Sequence, residues 1–125
     1  MTSREYLTQL KRLKELLDEE ESDLDDEKEE AESDLPYTGK EKYLKRVEIL
    51  ERVYNRHKEI YPKLKERITR KILTLKNERE QEVLILRYVD FLEWDEIAKK
   101  VHTTQDAVFA LHQRALKKTD CLKEP

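Results

Sequence analysis

The sequence predicts an all-α protein: an N-terminal antiparallel helical hairpin of coiled-coil type, followed by a small C-terminal helix-turn-helix domain. Three observations predict it. Apolar residues recur at four-three spacing over long stretches. One Gly and three Pro are the only strong punctuation, so strands and hairpins lack their turn residues. Charged residues make up 44% and hydrophobic ones 37%, a balance that suits solvated helices with narrow apolar seams rather than a large core.

The first helix is expected from Arg4 to about Ser33, a run of Leu, Glu and Lys without Pro or Gly. Tyr6, Leu10, Leu13 and Leu17 form its seam, which thins to Leu24 and Ala31. Asp34, Leu35, Pro36, Tyr37, Thr38 and Gly39 form the best turn in the chain. A second seam starts after Glu41: Tyr43, Val47, Leu50, Tyr54, His57, Tyr61, Leu64 and Ile68. Two such helices and one turn read as an antiparallel hairpin. Pro62 removes a backbone donor inside that pattern, so a boundary is expected near Tyr61 and a new helix over 62–75. The domain division follows: 1–61 a hairpin arm for self-association or partner binding, 62–125 the helix-turn-helix domain.

Asn77 and Glu80 have capping-box spacing, with Glu80 expected to reach back. A helix through Tyr88 should follow, broken at Asp90–Glu93. A short helix over Glu93–Val101, a turn at His102 and Thr103, and a last helix capped by Thr104 and running to about Lys118 complete the chain. Ala98 is the small residue that lets the last two helices cross closely. Ile97 and Val101 flank it, and Val108, Leu111, Ala115 and Leu116 are expected to point back at it. The opposite face then offers Gln105, Asp106, Phe109, Ala110, His112 and Gln113 to a major groove.

Charge is split along the chain. Residues 1–36 hold 5 Lys/Arg against 14 Asp/Glu, a net −9, and residues 37–125 hold 21 against 15, a net +6. The basic part suits a polyanion and the acidic part does not. Asp18–Asp34 alone carries twelve acids and one Lys. It reads first as a solvated arm tip, and second as a cover that weakens non-specific DNA binding. Six cations between Lys63 and Lys76 read as a solvated helix face, with a phosphate-contacting flank as the alternative.

Leu84, Ile85, Leu86, Arg87 and Tyr88, then Trp94 to Ala98, then Ala107 and Val108, then Arg114 to Lys118 resemble the fourth conserved region of sigma factors. The resemblance covers Asn77 to Leu122. The whole layout, with its Tyr6-Leu7 and Leu10 start, also resembles the ArpU-type phage and prophage transcriptional regulators. The resemblance implies a sequence-specific regulator that binds double-stranded DNA in a bacterial cytoplasm, with RNA polymerase and a second copy of the chain as further partners. Three places depart from the pattern. Phe91 and His102 stand where Gly is usual, and Glu93 stands where Ser or Thr caps. Thr103 follows His102 where an apolar residue is usual.

Base contacts are expected from Gln105 toward adenine, Asp106 toward cytosine and Phe109 against a thymine methyl, with Ala110 and Gln113 beside them. Phosphate contacts are expected from Lys99, Lys100, Thr103, Thr104, His112, Arg114 and Lys117. Trp94 reads as packing, and Phe109 equally as core or base contact. His57 reads as a packed seam residue. The rival to a regulator is a coiled-coil adaptor that binds protein and uses the helix-turn-helix as scaffold, or a small-terminase-like DNA-packaging component.

Catalysis, cofactors and metals are not expected. One Gly forbids a Gly-rich phosphate loop. Three scattered His and the lone Cys121 give no metal spacing and no internal disulfide. No apolar run approaches the ~20 residues of a membrane span.

Overall fold

The computed structural model describes residues 2–32 and 37–121, and these form helices joined by short turns, with no strand among them. Five helices follow in order: α1 (Ser3–Glu32), α2 (Tyr37–Leu73), α3 (Glu78–Tyr88), α4 (Trp94–Lys100) and α5 (Gln105–Cys121). The all-α expectation holds. Of the expected turn, residues 33–36 lie outside the described residues, while Tyr37, Thr38 and Gly39 already belong to α2. A Gly in the first turn of a 37-residue helix forfeits only about 1 kcal/mol, which the following turns offset.

α1 starts on a capping box between Thr2 and Glu5. The Glu5 amide donates to Thr2 Oγ1 (3.2 Å), and the Thr2 amide donates to Glu5 Oε2 (3.3 Å).

Pro62 does not end a helix. α2 runs unbroken from Tyr37 to Leu73 with Pro62 inside it. Pro62 is exposed. The carbonyl it leaves without a donor, four residues back at Lys58, is on that exposed side, where water can satisfy it.

The chain divides into two compact units, Arg12–Pro62 on the one hand and Met1–Lys11 with Lys63–Pro125 on the other. The first turns of α1 are thus grouped with the C-terminal helices.

Within Arg12–Pro62, the chain folds as an antiparallel hairpin held by a thin seam. Leu13, Leu17, Tyr43, Val47, Leu50, Tyr54 and Tyr61 are all half-buried, and Leu24 is buried. Salt bridges pair the second half of α1 with the first half and middle of α2: His57 Nδ1 is 2.8 Å from Glu20, Lys28 is 3.0 Å from Glu51, and Arg46 is 3.4 Å from Glu27. His57 is half-buried in the seam, as expected, and faces a carboxylate.

The other unit holds the protein's dense core. Val83, Leu86, Ile97, Ala98, Val101, Val108 and Leu111 form one buried cluster, with Leu92 and Trp94 packed against it. Leu7, Leu10, Ile68, Ile72, Leu84 and Ala115 are buried in the same unit. Ser3 Oγ donates to the Leu116 carbonyl (2.9 Å), which ties the start of α1 to α5.

Candidate nucleic-acid interface

The helix-turn-helix is built by local rules. Asn77 caps α3, its Oδ1 accepting from the amides of Arg79 (2.9 Å) and Glu80 (3.1 Å). Glu80 does not reach back to complete a capping box. Its side chain is buried and its carboxylate takes Lys118 Nζ at 2.9 and 3.1 Å. A buried carboxylate needs a cation more than a terminal amide does, because desolvation penalises an unpaired charge heavily.

α3 ends in a turn with Phe91 in the left-handed region (φ 60°). Arg87 braces this turn: Nη1 donates to the Leu92 carbonyl (3.1 Å), and the guanidinium lies 4.3 Å over the Trp94 ring. Glu93 begins α4, its amide donating to Glu96 Oε1 (3.3 Å). α4 ends in a Schellman motif. The Thr103 amide donates to Ala98 O (3.0 Å) and the His102 amide to Lys99 O (3.3 Å), with His102 at φ 55°. Arg79 Nη2 donates to the Val101 carbonyl (3.0 Å) and so ties α3 to that terminus. Both residues that replace Gly therefore adopt the Gly conformation, at roughly 1–2 kcal/mol each. Thr104 caps α5 as expected, Oγ1 accepting from the Ala107 amide (3.2 Å).

α5 lies against α3 and α4. Val108 and Ala115 are fully buried, Leu111 nearly so, and Ala98 is buried with them at the crossing. The other side of α5 is open: Gln105, Asp106, Phe109, Ala110 and Gln113 are all exposed. Lys99, Lys100, Thr104, Arg114 and Lys117 are exposed around them, and Thr103 is half-buried. Phe109 divides its roles, with its ring centroid 5.0 Å from that of Trp94 in a T-shaped contact and 40% of its surface exposed. Trp94 packs on the cluster, as expected.

His112 faces inward and is removed from the expected phosphate and groove contacts. It is 3% exposed, and its Nε2 is 2.6 Å from the Tyr88 hydroxyl. Its ring also meets Trp94 edge-on at 4.8 Å. Burial, then the charges of Arg4 and Arg87, push the His112 pKa down to about 4. Burial raises that of Tyr88. Both groups are therefore neutral near pH 7, so the hydroxyl donates and the imidazole accepts. The spacing contained this signal. Val108, His112, Ala115 and Thr119 follow four-three-four along one stripe, and all four are buried.

Among the described residues no group of His, Cys, Asp and Glu is placed to hold a metal, and no helix is long and apolar enough to cross a membrane.

No curated protein and no solved structure matches the chain. Residues 66–119 match the family model described as Sigma-70, region 4. That span takes in α3, α4 and nearly all of α5, so the chain carries a C-terminal helix-turn-helix domain of the sigma region 4 type.

Proposed function

We propose that this chain is a sequence-specific double-stranded-DNA-binding transcriptional regulator of phage or prophage genes, acting in the bacterial cytoplasm. One observation carries the reading: α5 is buried along one side in a helix-turn-helix and open along the other, where Gln, Asp, Phe and Ala side chains without a cation can meet base edges. Gln105, Asp106, Phe109, Ala110 and Gln113 read bases; Lys99, Lys100, Thr103, Thr104, Arg114 and Lys117 hold phosphates. A gel shift with the DNA upstream of the protein's own gene, at two salt concentrations, tests it. Binding that weakens steeply with salt is expected. No shift at the lower salt overturns the reading.

A second role for the hairpin is favoured by its surface. Ile49, Val53 and Ile60 are exposed on α2 at spacings of four and seven, which places them on one stripe. In this reading the stripe serves self-association, which sets two recognition helices on two half-sites, or contact with RNA polymerase. A monomer by light scattering removes the first. The adaptor alternative predicts a partner complex without a gel shift, and a packaging role predicts terminase genes as neighbours.

A further inference from the structure

A cleft of about 90 Å³ lies beside the helix-turn-helix, lined by Arg4, Thr8 and Lys11 of α1 and by Arg87 and Tyr88 of α3. Three of the five lining residues are cations and none is an acid. Arg4 and Lys11 are exposed, two turns apart on one helix face. Arg87 is held from behind by the Leu92 carbonyl and the Trp94 ring, so its guanidinium is pre-positioned rather than free to wander. Its one acidic neighbour, Glu93 at 3.8 Å, is largely solvated.

The floor of the cleft is Tyr88, whose hydroxyl is committed to His112. Arg4 and Arg87 both act on the titration of that pair, so their charges converge on one small volume. A site with three cations and no carboxylate, whose Thr8 and Tyr88 hydroxyls already donate to the Glu5 carbonyl and to His112, selects a tetrahedral oxyanion through charge. The cleft also adjoins the open side of α5 through a short run of contacts. Phe109 meets Trp94 at 5.0 Å, and Trp94 meets Arg87 at 4.3 Å.

The geometry points to a phosphodiester site: Arg4, Lys11 and Arg87 grip a backbone phosphate of the DNA whose bases α5 reads. This rests on the DNA-binding reading above and extends it. The start of α1, outside the span that matches the sigma region, becomes part of the nucleic-acid interface. Its two cations would add to the salt dependence without adding sequence preference.

The test uses the full chain and a fluorescein-labelled duplex of mixed sequence, titrated by anisotropy over a series of potassium chloride concentrations. Each lost phosphate contact lowers the slope of log K against log salt by about 0.9. The R4A/K11A variant is therefore expected to lose about two units of slope, with far-UV circular dichroism and Trp94 fluorescence unchanged. K42A/K45A removes two exposed α2 charges as a control and is expected to change the slope much less. An unchanged slope in R4A/K11A, or equal losses in both variants, overturns the site.

Inorganic phosphate supplies the second arm, read through Trp94, the protein's single tryptophan. A saturable change in Trp94 fluorescence that R4A/K11A abolishes, with the DNA slope untouched, makes the cleft a free-oxyanion site and overturns the phosphodiester assignment. If the native chain fails to bind any duplex, the DNA-binding reading itself fails. If it binds and only the variant behaves as native, the cleft alone fails.

Discussion

The hairpin between Arg12 and Pro62 and the core around Ile97 are built from the same residue types, yet they are held in different ways. In the hairpin, seven of the eight Leu, Val and Tyr residues of the expected seam are only half-buried, and the cross-helix links are ion pairs at its surface. In the core, Val83, Ile97 and Val108 lose all their exposure, and buried polar groups are partnered: Tyr88 with buried His112, and the buried Glu80 carboxylate with the exposed Lys118. Two long helices alone can shield only a stripe from water. Three short helices that cross can enclose a volume. Burial therefore sets the shape of the second region, while length and periodicity set the first.

Truncating one apolar side chain in each region should produce the largest difference. Ile97→Ala should destabilise the protein by about 2–5 kcal/mol, because a fully enclosed site cannot collapse around the lost atoms. Leu24→Ala should fall at or below the bottom of that range, since its seam neighbours are half-exposed and water can enter. Urea unfolding, followed by Trp94 fluorescence for the core and by circular dichroism for total helix, measures both. Equal costs would remove the distinction drawn here.

The second expected effect is one of pH. In the unfolded chain His112 titrates near 6.5, and in the fold near 4, so the unfolded state binds the extra proton between these values. Stability is full above about pH 6.5, declines as the pH falls toward 4, and loses up to about 3 kcal/mol from this group. His112→Gln should flatten that part of the profile. An unchanged profile would mean that the Tyr88–His112 pair does not couple folding to protonation.

Smaller effects sharpen the picture. His102→Gly should stabilise the domain by up to about 1 kcal/mol in thermal unfolding, because it relieves a left-handed conformation at an exposed residue. Glu20→Gln in the hairpin should cost less than about 1 kcal/mol and should matter less at high salt, since its partner His57 is partly solvated.

Much of this could be read from the residues in order. The α3 start at Asn77, the α5 cap at Thr104 and the Ala98 crossing follow from local rules that act within a few residues. The four-three seams name the half-buried positions of both long helices. The Gly positions held by Phe91 and His102 marked the turns even without Gly, because the backbone must still reverse there. The reading failed at Pro62, where exposure lets a helix tolerate a missing donor, and at Glu80, where a distant lysine outcompeted the nearby amide.

From the residues alone came α3, α4 and α5, the caps at Asn77 and Thr104, and the crossing of α4 with α5, because hydrogen bonds within one or two turns and the small volume of Ala98 set these. Only the tertiary structure decided that His112 points inward to Tyr88, that Glu80 meets Lys118, and that Arg4 and Lys11 share a cleft with Arg87. Each of these partnerships joins residues far apart in the chain. Periodicity says which side of a helix is buried but not what waits on the other side, so such contacts exist only once the helices have packed.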